Sequence, residues 1–189
     1  DAAAVGATVL RHNRRDTVEM LAGARVSRRT GRVTPLGAGM ARSAPRPSTL
    51  ELDYVSGCCL LTTPAVVDRV GVMDERYFLY SEDVDWGLRM RRAGLRLLYC
   101  PEAEVWHKGG ATVVHRSSLH DYYVVRGALM LVRKHFPTRL PIALVFWLLL
   151  GLAPKVIPRE WRPLAADAKG YRSFMRGAVG PATRTIARS

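Results

Sequence analysis

The stretch from Tyr77 to Gly94, Y-F-L-Y-S-E-D-V-D-W-G-L-R-M-R-R-A-G, constrains this chain more than any other. Glu82, Asp83 and Asp85 fall almost together, Tyr77, Phe78 and Tyr80 precede them, Trp86 follows, and Arg89, Arg91 and Arg92 close the segment. This order predicts a loop that delivers acids onto the first turn of a helix. Ser81 is a good N-cap, and acids at the start and arginines at the end both suit the helix dipole. Gly94 is placed to end the helix in a left-handed cap, and Asp85 and Arg89 are spaced to pair. Helix-end electrostatics can explain every charge here. The same residues also suit chemistry, because adjacent carboxylates on short side chains beside a rigid element can take a proton from a bound hydroxyl. The aromatics around them are either core or a platform for a sugar.

The chain before this stretch reads as strands. Ala2 to Leu10 is an apolar, buried strand. Arg11 to Arg15 turns basic, and Val18 to Ala24 is a short apolar segment. Arg25 to Ser48 scatters Arg, Gly, Ser and Pro without period, which predicts a long exposed loop. Leu50, Leu52 and Tyr54 alternate with polar residues as one strand, broken at Ser56-Gly57, and Cys58 to Leu61 is assigned to the core. Thr63-Pro64 caps and opens a short helix over Pro64 to Val70, which Gly71 ends.

After it, Leu95 to Cys100 is a strand that Pro101 ends, and Val105-Trp106-His107 is a short extended piece. A helix runs roughly from Leu119 to His135, where Pro137 stops it. Leu140 to Ala153 is almost wholly apolar yet falls short of the ~20 residues needed to span a bilayer. Arg133, Lys134 and Arg139 flank it on one side, Lys155, Arg159 and Arg162 on the other, with Trp147 and Trp161 as candidate interface anchors. That pattern suits a helix lying in an anionic membrane interface; the other reading is a helix buried against protein. The tail from Ala165 to Ser189 is basic.

Charge and cysteine narrow the partners. The chain has 29 Lys and Arg against 16 Asp and Glu, a net charge of +13, which asks for a polyanionic partner. Without a helix-turn-helix, zinc-finger or RNA-recognition signature, nucleic acid is not expected. The three cysteines are odd in number and two are adjacent, which favours a reduced setting over a disulfide framework.

Val70 to Gly94, V-G-V-M-D-E-R-Y-F-L-Y-S-E-D-V-D-W-G-L-R-M-R-R-A-G, is preceded by Y-V-S-G-C-C-L-L from Tyr54. It is followed by Y-C-P-E-A-E-V-W-H-K-G-G from Tyr99. The whole string resembles the family 2 glycosyltransferases, and within them the rhamnosyltransferase-like branch. The resemblance implies an α/β fold: a partial GT-A (Rossmann-like) domain followed by amphipathic and apolar helices. Residues 1–116 would be its acceptor-side part and 117–189 a helical, membrane-associating region. It further implies inverting transfer of a sugar such as rhamnose from a nucleotide-sugar donor to a hydroxyl of a cell-envelope glycan or lipid-linked acceptor.

By the same resemblance Asp83 is the general base and Glu82 orients it or the acceptor. Gly57, Tyr80, Asp85 and Trp86 line the acceptor side, and Asp74 and Glu75 belong to the loop's scaffold. His107 is a ligand of a divalent cation, Mg2+ or Mn2+. Gly87 departs from the larger residue expected of relatives and would widen the helix face. The one D-x-D, Asp83-Val84-Asp85, belongs to the acceptor-side helix, and no glycine-rich phosphate loop occurs. Most of the donor site and of the cation's ligands are therefore expected outside this chain. It begins at Asp1 and reads as a fragment, inactive alone, peripheral to the cytoplasmic face of the cell membrane. The alternative is a non-catalytic, basic, membrane-associated module that needs another chain to form a site.

Overall fold

The computed structural model describes residues 2–109, 118–152 and 168–182. They form two compact units. The first holds residues up to Val26, then Val33–Met73 and Asp83–Gly109; the second holds Ser27–Arg32, Asp74–Glu82 and the described residues beyond 117. Ser27–Arg32 and Asp74–Glu82 thus fold with the second unit, not with the part before residue 116.

In the first unit the chain runs β1 (Ala2–Arg11), β2 (Arg14–Leu21), β3 (Gly23–Val26), β4 (Val33–Pro35), β5 (Tyr54–Val55) and β6 (Leu60–Thr62). It continues through α1 (Pro64–Val70), α2 (Glu82–Arg92) and β7 (Arg96–His107). The apolar run of β1 is almost wholly buried because it lies mid-sheet, with β7 parallel to it on one side and β2 and β6 antiparallel on the other. Strands β4, β3 and β5 make a second sheet. Leu10, Val18, Leu21, Leu52, Val55, Trp86, Met90 and Leu97 close one core, where each fully buried aliphatic side chain contributes roughly 1.5–3 kcal/mol.

Several expectations hold and others need correction. Helix α1 opens on Pro64 and ends at Gly71, whose φ of 80° admits its amide to the Val67 carbonyl. Helix α2 ends at Gly94, φ 76°, with the Leu95 amide reaching back to the Met90 carbonyl. Part of the supposed loop over 25–48 is instead strand, because Ala24, Arg25 and Val26 pair with Pro35, Thr34 and Val33. The alternation of Leu52 and Tyr54 does bury both, yet the ladder there is only β5 and an isolated Glu51–Leu98 bridge. Cys58 to Leu61 is not core: Cys58 is exposed, and Leu61 on β6 is 73% exposed. Pro101 does not end its strand. The β1–β7 register slips between Cys100 and Glu104, so the proline sits in a bulge and β7 continues to His107.

In the second unit α3 (Ser118–His135) is followed by a 3-10 turn, Pro137–Arg139, then α4 (Leu140–Leu152) and α5 (Ala168–Met175). Helix α3 is buried along most of its length, including Val125, Leu129, Leu131 and Val132. Helix α5 seats on it through Gly170, where a Cβ would fall 2.5 Å from the Tyr122 carbonyl oxygen. On α4, Ile142, Val145, Leu148 and Leu149 are exposed. Trp147 is not an interface anchor: it is buried and its indole N–H donates to the Thr30 carbonyl at 2.7 Å. Trp161 and the cations Lys155, Arg159 and Arg162 lie outside the described residues. Among the described residues no helix is long and apolar enough to cross a membrane.

Candidate active site

Helix α2 is seated by main-chain contact. A Cβ on Gly87 would fall 2.4 Å from the Tyr54 Cβ and 2.6 Å from its Cα. Gly87 therefore does not widen a binding face; it lets the helix close on β5. Arg89 donates to the Asp85 carboxylate at 2.9 Å and to the carbonyls of Val70 and Val72 at 2.7 and 2.6 Å. The Trp86 indole donates to the Gly71 carbonyl at 2.7 Å. Asp85 is fully buried and Trp86 nearly so, so the Trp86 ring takes the core alternative, and Asp85, expected on the acceptor side, is turned into the seat of the helix. Both fasten α2 to the end of α1.

Asp83 is placed differently. Its Oδ2 accepts from the Gly57 amide at 2.9 Å, and its Oδ1 from the Val84 amide at 2.8 Å. Loss of hydration raises its pKa above the ordinary aspartate value, and the two amides offset part of that rise. Gly57 is thus the donor that orients Asp83.

Glu19, on β2, is a residue the sequence reading missed; an acid between Val18 and Met20 in an apolar segment was its only signal. It accepts from His107 Nδ1, which stands 3.1 and 3.2 Å from its two oxygens. The bulge at Pro101 brings His107 opposite Arg11, and the His12 amide donates to the His107 carbonyl at 3.0 Å. With Nδ1–H given to a carboxylate, a neutral imidazole keeps its Nε2 lone pair outward, the arrangement of metal-binding histidines. Glu19 is thus placed to fix the tautomer of His107. Among the described residues no group of three or more His, Cys, Asp and Glu is arranged to hold a metal ion.

In the second unit the loop over 74–82 carries Tyr80 and Glu82. Phe78, Tyr80 and Ser81 have φ of 66°, 61° and 71°, left-handed values that cost roughly 1–3 kcal/mol each and gather at functional sites. Ser81 is consequently not the extended N-cap that its residue type suggested. Tyr80 meets His120 edge-on at 5.0 Å, and burial, then the Glu82 charge, raises its phenol pKa. Asp74 pairs with Arg76 at 2.6 Å and with Lys134 at 2.9 Å, which holds its carboxyl well below the usual range.

A family model described as glycosyltransferase like family 2 matches residues 1–138. The N-acetylglucosaminyl-diphospho-decaprenol L-rhamnosyltransferase of Mycobacterium tuberculosis is 48% identical over 61 residues, 32% of this chain and 20% of that protein. The rhamnosyltransferase WbbL of Escherichia coli is 37% identical over 60 residues, covering 32% and 23%. The dTDP-rhamnosyl transferase RfbF of Shigella flexneri is 31% identical over 99 residues, covering 48% and 33%. The matches thus span from 20% to 33% of these relatives' length. All three carry transferase names, and the reading as a non-catalytic module finds no support among them.

Proposed function

We propose a function from one premise: this chain belongs to glycosyltransferase family 2. Its mixed α/β fold is that of a partial GT-A-type domain. It forms the acceptor-side part of an inverting transferase that moves rhamnose, or a similar sugar, from a nucleotide-sugar donor. The acceptor is a hydroxyl of a cell-envelope glycan or a lipid-linked precursor. The names of the relatives support this substrate class.

The observation that carries the reading is the Asp83 carboxylate. The amides of Gly57 and Val84 fix its plane, and loss of hydration raises its proton affinity. Asp83 takes the proton of the acceptor hydroxyl while that oxygen attacks the anomeric carbon, and the diphosphate leaves from the opposite face. Glu82, the preceding residue, orients the acceptor. A divalent cation, Mg2+ or Mn2+, supplies neutralising charge for the leaving diphosphate when bound, with His107 among its ligands and Glu19 holding the imidazole. Its remaining ligands belong to the donor side.

We place the working protein peripherally on the cytoplasmic membrane face. The exposed stripe of α4 (Ile142, Val145, Leu148, Leu149) lies in the interface, and Arg133, Lys134 and Arg139 precede it in the chain. Flotation with vesicles containing anionic lipid should fall several-fold for Val145→Asp/Leu149→Asp, both sites being more than half exposed. Equal flotation removes the membrane from this account. For catalysis, Asp83→Asn should lower turnover with dTDP-rhamnose by about 10²–10⁴-fold while donor KM stays put. The acid limb of kcat/KM, rising with pH through the elevated Asp83 pKa, should disappear with it. Near-normal turnover would take Asp83 out of the base role.

A further inference from the structure

The family match stops at residue 138, yet residues 168–182, beyond it, are bonded to the loop that leads to the acid pair. The Gly180 amide donates to the Arg76 carbonyl at 2.9 Å. Arg126 of α3, fully buried, donates through one nitrogen to the Gly180 carbonyl and through the other to the Tyr77 carbonyl, both at 2.7 Å. Its guanidinium lies 5.2 and 5.0 Å from the ring centres of Tyr122 and Tyr123. The segment is pinned along its length. The Tyr122 hydroxyl meets Ser173 Oγ at 2.7 Å, the Ala182 amide donates to the Tyr123 hydroxyl at 2.6 Å, and Arg133 stands 4.8 Å over the Phe174 ring. Gly127 leaves room for the loop itself, since a Cβ there would fall 2.7 Å from Ser81 Oγ.

We propose that residues 168–182 are a strap that locks the loop over 74–82 in its left-handed conformation, with Arg126 as the positioning residue joining the two. The chain supports this in three ways. The two bonds that reach the loop, from the Gly180 amide and from Arg126, end on the Arg76 and Tyr77 carbonyls, so they hold backbone and not side-chain identity. A buried cation is costly unless neighbouring acceptors and π faces surround it, and here two of its acceptors are one carbonyl from each partner segment. The loop's unfavourable backbone needs an external hold, and it runs directly into Glu82 and Asp83. This rests on the catalytic reading above only for its consequence, the presentation of the acid pair.

Limited trypsin digestion tests the hold without relying on catalysis. Arg76 is an exposed cleavage point inside the loop, and Arg69 on α1 serves as an internal reference. In the full chain, ending the protein at residue 167 should speed cleavage after Arg76 by about tenfold or more, because proteolysis follows the population of the opened form. Tyr123→Phe, which removes only the Ala182 anchor, should speed it several-fold with an unchanged fold by circular dichroism. Cleavage after Arg69 should not change in either variant. Unchanged cleavage at Arg76, or an equal rise at Arg69, overturns the strap. In the active protein, Arg126→Lys should lower kcat by about tenfold or more with donor KM kept, as expected of misplaced chemistry rather than lost binding. A fall in kcat that disappears once rates are divided by the folded fraction from circular dichroism, or a raised donor KM with kcat kept, overturns the positioning role. Release at Arg76 combined with normal turnover in Asp83→Asn would keep the strap and discard the base.

Discussion

The inner face of α2 and the corner at its first turn carry the same kind of residue in opposite circumstances. Asp85 is sealed, paired with Arg89, and its helix is stapled to the end of α1 through Arg89 and Trp86. Asp83, two positions earlier, has main-chain amides as its hydrogen-bond partners among the described residues, and an elevated proton affinity. One carboxylate is satisfied by a cation and becomes structure. The other is satisfied by neutral dipoles and keeps a raised proton affinity, which is what the proposed base role needs. The i, i+4 spacing to Arg89 already gave Asp85 a partner in the sequence; the string E-D-V-D-W could not show that Asp83 would take the amides of Gly57 and Val84.

The comparison breaks most visibly at Asp85. Asp85→Asn removes the charge partner of Arg89 and leaves it the Val70 and Val72 carbonyls, and stability should drop by about 1–3 kcal/mol in a denaturant melt, whereas Asp83→Asn should change it little. Equal losses for the two would erase the distinction. On the chemical side, Glu19→Gln should weaken Mn2+ binding to the active protein by about 10–100-fold by calorimetry, with an unaltered melt. Unchanged affinity would separate the His107–Glu19 pair from the cation. Gly87→Ala tests the seating more gently: the Tyr54 backbone must move, at about 1–3 kcal/mol, and a neutral result would mean α2 has slack.

Much of the frame was legible. The apolar run of β1, the Pro64–Gly71 helix, the Gly94 stop and α3 before Pro137 all announced themselves through residue types with one backbone meaning. The β3–β4 pairing did not, because Gly23, Ala24 and Val26 pack on β-sheet neighbours without a run long enough to alternate visibly. Proline usually stops a strand, and at Pro101 a bulge overrode that. Trp86 was placed on the acceptor side by resemblance, beside a core alternative, and Trp147 at a membrane interface by the cations flanking its helix; each indole found a carbonyl inside. Glu19 was invisible for a different cause. Its meaning comes from His107, 88 residues away, and no local pattern encodes a pairing across strands.

The Gly57 amide has one more implication, for mutational tolerance. A tether made of main chain is supplied by any residue except proline, and a Cβ at position 57 would sit 3.6 Å from Asp83 Cβ, an ordinary contact. Side chains at this position can therefore drift through evolution, changing the surface beside Asp83 while the carboxylate keeps its orientation.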